Sequence, residues 1–211
     1  MKLRGDLSAH AVKEAAKLTS VKAPLQLWVT RSEAPEVFDM QPGELASVGY
    51  FQGEGLYLRP FLGVFQYPVV LIFASGKGMA TAKALIEATS HSGLTLRARA
   101  DVRLYVSASI DAELPFSELY ERWQADHHVK VRPCVLTRAA GSSATQGGVR
   151  EGFDSDDVEY DPPLTMAVIL GDEEFEKEVL ELLDDAHIPA AQAVLGSQEA
   201  PPVFYYKSSQ V

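Results

Sequence analysis

Residues 67–88, YPVVLIFASGKGMATAKALIEA, run from an unbroken apolar stretch through a pair of glycines into a segment with helical spacing. Val69, Val70, Leu71, Ile72 and Phe73 show no alternation of apolar and polar residues. A strand of a parallel sheet, covered by helices on both faces, needs that pattern. Gly76 and Gly78 let the backbone turn sharply and approach a ligand closely. A helix starting there presents unsatisfied N–H groups and the positive end of its dipole, which suits a phosphate. The stretch predicts strand, tight loop and helix, with Gly76, Lys77, Gly78 and Met79 as candidate nucleotide-binding residues. The tight turn of an ordinary α/β unit produces the same pattern, so both readings stand at this point.

Towards the carboxyl terminus the alternation recurs. Residues 101–107, DVRLYVS, predict a second strand, and residues 116–125, FSELYERWQA, place Phe116, Leu119, Tyr120 and Trp123 at helical spacing. A third strand is expected over 129–136, followed by a loop of small residues over 139–148. The acidic run of Asp154, Asp156, Asp157, Glu159 and Asp161 lacks the glycine and terminal glutamate of a calcium loop and reads as a solvated or partner-facing segment. Residues 166–170 predict a buried strand, and 172–186 a helix with acidic residues in its first turn and one apolar stripe through Phe175, Val179, Leu182, Leu183 and Ala186. Such alternation predicts an α/β fold with a doubly wound parallel sheet and a ligand at the carboxyl ends of the strands. Ser107 and Ser109, at the end of the second strand, and Gly171, after the fourth, join the candidate binding residues.

The amino-terminal part has another character. Residues 25–30 and 48–51 read as strands, 53–55 as a turn, and 56–64 as an extended piece interrupted by Pro60; residues 8–17 suggest a short helix capped by Ser8. Three regions are expected: 1–65, a β region; 66–196, the α/β region; and 197–211, a tail with Phe204, Tyr205 and Tyr206 that straps its own domain or meets a partner.

With 211 residues, 46% of them hydrophobic, the chain can bury a sizeable core. A net charge of -10 argues against nucleic acid as a partner, because phosphate backbones are bound through Lys and Arg. No apolar run reaches the roughly 20 residues of a membrane span, and residues 1–12 show no signal-peptide core, so a globular, non-integral protein is expected, with peripheral attachment open. The single Cys134 reads as a buried core residue. His127 and His128 lack the further ligands of a metal site, so none is expected.

These motifs, in this order, make residues 25–195 resemble the ferredoxin-NADP reductase superfamily, in particular the plant-type reductase-like flavoproteins of plastids. Residues 67–88 resemble that family's first nucleotide-domain strand and its G-T-G-I-A/S-P loop. Residues 101–108 resemble the strand that usually reads R-L-Y-Y-G-A-R, residues 115–136 the helix and strand after it, residues 141–153 the W-x-G-x-x-G-x-V loop, and residues 168–171 the strand ending in C-G. The resemblance implies a nucleotide-binding domain preceded by part of an antiparallel flavin-binding barrel.

The departures fall on the chemistry. Thr81 stands where the family has Pro, Lys77 where it has a small residue, Ser107 and Ser109 where it has Gly and a phosphate-binding Arg, and Leu170 where it has the Cys beside the nicotinamide. Ser142 and Ala144 replace the loop's Trp and first Gly, while Gly147 and Val149 are kept. For FAD, only Ser20 in the KLTS of residues 17–20 matches the flavin motif, and Glu36 near a phosphate position would repel a pyrophosphate. The resemblance therefore names no catalytic residue. It leaves NAD(P) open as a ligand and disfavours FAD. Three readings remain: a degenerate, non-catalytic accessory subunit of a larger plastid assembly, such as a photosynthetic one; an active FAD- and NAD(P)H-dependent oxidoreductase; and a binding module that responds to a nucleotide. On the first reading the partners are protein subunits and the location is the chloroplast.

Overall fold

The computed structural model describes residues 35–41, 56–88, 94–109, 114–138 and 145–196. The chain divides into two units, 1–52 and 53–211. Of the first, the described part is one helical turn, Pro35–Phe38, with the residues after it. The strands expected over 25–30 and 48–51, the helix over 8–17 and the tail beyond Gly196 lie outside the described residues.

The second unit is an α/β sandwich. Its strands are β1 (Val69–Ser75), β2 (Asp101–Ala108), β3 (Val129–Arg138), β4 (Thr145–Gly147), β5 (Thr165–Leu170) and β6 (Ala193–Leu195), and its helices are α1 (Gly78–Ile86), α2 (Tyr120–His127), α3 (Val149–Asp154) and α4 (Glu173–Asp185). The sheet order is β4-β3-β2-β1-β5-β6. Five strands run parallel, and β4 pairs antiparallel with the end of β3. This is the doubly wound sheet that the apolar runs predict.

The unbroken apolar run of β1 is explained by cover on both faces. Val70, Ile72 and Ala74 pack on one side with Met79, Ala82, Leu85 and Ile86 of α1 and Trp123 of α2. Val69, Leu71 and Phe73 pack on the other with Phe153 of α3 and Phe175, Val179, Leu182 and Leu183 of α4. Each Val, Leu, Ile, Met or Phe side chain among these, taken wholly from water, contributes about 1.5–3 kcal/mol. Asp172 caps α4 by accepting the Phe175 N–H at 2.9 Å, and the acidic residues Glu173, Glu174 and Glu176 follow in its first turn, where the helix dipole favours them.

Three expectations need correction. Residues 56–64 are not extended: Pro60 opens a 3-10 turn, Arg59–Phe61, and the carbonyls of Phe61 and Gly63 are taken by the Arg99 guanidinium instead of a ladder partner. The loop expected over 139–148 contains β4, whose Thr145–Gly147 backbone pairs with Leu136–Arg138. The acidic run is not a solvated loop throughout. Asp154 ends α3, and the Asp156 carboxylate is buried against Arg103 and Tyr105 of β2. Cys134 is buried as expected, and burial, helped by the charge of Asp156, pushes its thiol up to about 12.

Candidate functional site

The connection from β1 through α1 leads to β2 on one side, whereas the chain leaving β3 crosses to β5 on the other side of β1. The reversal makes the carboxyl ends of β1 and β5 the topological switch point, where doubly wound sheets bind their ligands. Gly76, Lys77 and Gly78 follow β1 there, and Gly171 follows β5. Ser107 lies in register with Ser75 at the end of β1, and Ser109 stands one residue beyond β2. The fold thus brings the sequence-derived candidates to one end of the sheet, and Met79 contributes there only through its backbone.

The glycines have different reasons. Gly76 has φ +48, a left-handed conformation that glycine adopts without strain, and a Cβ on it would meet nothing within 4 Å. Its open side faces away from the protein. A Cβ on Gly78 would stand 2.0 Å from the Leu170 carbonyl oxygen, and one on Gly171 would stand 2.4 Å from Phe175 and 2.6 Å from the Ser75 hydroxyl oxygen. These two positions are glycine because the loops after β1 and β5 close on the protein's own atoms.

The start of α1 is partly satisfied from within. Met79 N–H donates to the Gly76 carbonyl at 3.3 Å and Ala80 N–H to the Lys77 carbonyl at 3.1 Å. An anion at a helix N-terminus is held by N–H groups of this kind. The Met79 side chain is fully buried in the core. Lys77, at the N-cap, is exposed, and its side chain makes no capping bond. Sequence reasoning passed over Ser75, whose hydroxyl sits between the loops. A serine ending a fully apolar strand directly before a turn was the available signal.

Leu170, where the resembling family has a thiol, is 2% exposed and packs in the core. The described groups at the switch point include the Lys77 ammonium, the hydroxyls of Ser75, Ser107 and Ser109, backbone, and the Asp172 carboxylate that caps α4. They fit a phosphate or sugar hydroxyl at Gly76, Lys77 and the serines. At Leu170 itself there is no thiol, and the acid that follows it, Asp172, has its carboxylate engaged in capping α4 at the Phe175 N–H. Two hollows lie elsewhere among the described residues. One of about 260 Å³ is bounded by Leu180, Leu183, His187 and Pro189 at the carboxyl end of α4, and one of about 90 Å³ by Leu85, Leu94, Arg97 and His127. Helices antiparallel to the strands end at the opposite edge of the sheet, so both hollows are remote from the switch point. Among the described residues no cluster of three or more His, Cys, Asp or Glu could hold a metal, and no helix is long and apolar enough to cross a membrane.

No family model matches the chain. It is similar to fruit protein pKIWI502 of Actinidia deliciosa, with 27% identity over 144 residues, which is 68% of this chain and 44% of that protein. The match thus spans less than half of that relative's length. Among solved structures it is similar to the CS-b5R domains of human Ncb5or in the NAD+ form, with a TM-score of 0.50 and 14% identity over 82% of this chain and 48% of that one. The cytochrome b5 reductase domain of Ulva prolifera nitrate reductase gives a TM-score of 0.47 and 16% identity over 61% of this chain and 48% of that one. The likeness to the Ncb5or structure shows the fold alone: the second unit is a mainly parallel α/β sheet flanked by helices, consistent with a nucleotide-binding fold of the ferredoxin-NADP reductase type.

Proposed function

We propose that this chain is a degenerate ferredoxin-NADP reductase-like protein, non-catalytic, that serves as an accessory subunit of a larger plastid assembly. The observation that carries the reading is the closure of the switch point on itself. Gly78 and Gly171 are spent on contacts with Leu170, Ser75 and Phe175, and a buried leucine stands at the position of the reactive thiol. Two N–H groups of α1 that would serve an anion are bonded to the preceding turn. A fold kept intact around a site that lacks the resembling family's thiol suits a role played by surfaces. The plastid location rests on the plant-type sequence resemblance, with which a plant relative is consistent.

The test is the size of the native particle. Chain extracted from its own tissue under mild conditions should elute within a large complex and should not oxidise NADH or NADPH with ferricyanide as acceptor. Elution at the size of a single chain together with flavin-dependent turnover would favour the oxidoreductase reading. A second reading, binding of an adenine nucleotide without chemistry, is favoured by the open side of Gly76 and the exposed Lys77 beside it.

A further inference from the structure

At the end of the sheet opposite the switch point, the loop entering β1 carries large apolar side chains outward. Phe65 is 98% exposed, Leu62 48% and Tyr57 40%. Leu164, also exposed, directly precedes β5, whose first residue Thr165 is in register with the first residue of β1, so it belongs to the same end. An aromatic ring left wholly in water forgoes the burial that would stabilise it, which marks a contact surface when several such groups gather.

The loop is not a loose segment. The Arg99 guanidinium is buried beneath it and spends all five donors on backbone carbonyls: Nε and Nη2 on Leu94, Nη1 on Gly63 and Tyr67, and Nη2 on Phe61, at 2.6–3.0 Å. Phe65 therefore projects from a backbone held on both sides of it. Two arginines stand on the neighbouring turns, Arg59 on the 3-10 turn before Phe65 and Arg97 on the turn that Arg99 ties to the same loop. Both are exposed, and neither has a hydrogen bond or ion pair among the described residues. Arg103, Arg122, Arg132 and Arg150 each face a carboxylate. In a chain of net charge -10, these two are the exceptions among the arginines whose side chains are described, in lacking both a carboxylate partner and a buried hydrogen-bond set.

We infer that this end of the domain docks an acidic protein segment that inserts apolar side chains against Phe65, Leu62 and Tyr57 and pairs its carboxylates with Arg59 and Arg97. Aromatic and arginine anchors of this kind dominate the energetics of protein interfaces. An anionic lipid surface is the poorer fit, because the whole-protein charge repels an extended negative plane, whereas a single segment meets only the local cations. The inference deepens the accessory-subunit reading, and the two fail separately: flavin-dependent turnover would remove that reading and leave this surface standing.

The experiment is selection of a random 16-residue peptide library on the full chain, followed by fluorescence anisotropy with the enriched peptides. The expected peptides combine Asp or Glu with apolar residues. Their affinity should fall at least tenfold in Phe65→Ser, and also in the double variant Arg59→Glu, Arg97→Glu, with melting temperatures unchanged because all three side chains are exposed. Charge-reversed versions, with Lys for Asp and Glu, should not bind. No enrichment, neutral or basic winners, or equal binding by Phe65→Ser would overturn the inference. So would a Phe65-dependent self-association in sedimentation equilibrium, or Phe65-dependent flotation with phosphatidylserine vesicles, in the absence of peptide binding.

Discussion

Arg103 and Asp156, 53 residues apart in the chain, meet at 2.8 Å with both side chains withdrawn from water. The same carboxylate accepts the Arg132 Nε–H and the Asp157 backbone N–H at 2.9 Å on one oxygen and the Tyr105 hydroxyl at 2.9 Å on the other. The pair pins the segment after α3 across β2 and β3. Burial and the negative charge of Asp156 together push the Tyr105 hydroxyl far up, so it stays a donor at any ordinary pH.

Removing one member of a buried ion pair strands the other. Asp156→Ala should cost about 3 kcal/mol in urea unfolding, since Arg103 would keep only its partners Asp101 and Asp157. Asp157→Ala, whose side chain is mostly exposed, should cost far less. Equal losses in the two variants would contradict the placement of Asp156.

The Asp157 carboxyl is held down to about 2 from its ordinary 3.8, by the Arg103 hydrogen bond first and then by Asp156. A depressed carboxyl contributes stability above its unfolded value and loses it as pH falls towards its folded value. Melting temperature should therefore drop between pH 4 and pH 2, and Arg103→Met should flatten the drop in that window. A wild-type profile with no slope there would count against the network.

Arg99 reaches its carbonyls through a planar fork that an ammonium cannot reproduce, and burial alone lowers its ordinarily high pKa. Arg99→Lys should lose about 2–3 kcal/mol, because the carbonyls of Phe61 and Tyr67 would lose the donors of the fork, while Gly63 keeps only the Tyr67 N–H. Retention of full stability would show that the loop is held by something else.

Gly76→Ala and Gly78→Ala separate conformation from space. The first meets no neighbour but places alanine at a left-handed φ, costing about 1 kcal/mol. The second drives a methyl into the Leu170 carbonyl and should cost about 2–3 kcal/mol. Differential scanning calorimetry of both variants would order them, and the reverse order would contradict the contact between the two loops.

The sheet was legible because β1 is apolar on both faces, a pattern with few other readings, and because Gly76 marks its end. Site residues were less legible. Met79 drew attention by following Gly78, yet its spacing to Ala82, Leu85 and Ile86 is that of the buried helix face. Asp156 was hidden among acidic neighbours, although Arg103 inside an apolar strand required a counter-charge and the acidic run was the obvious supplier. Residues 56–64 misled because apolar content suggests a strand, whereas Pro60 and the distant Arg99 impose a turn.

The most direct test of the non-catalytic reading is an absorbance spectrum of natively purified protein from 300 to 550 nm, followed by thermal shift with FAD, NADH and NADPH. The account predicts no flavin bands and no shift with FAD, with at most a small stabilisation by the nicotinamide nucleotides. Flavin bands that bleach when NADH or NADPH is added would contradict it.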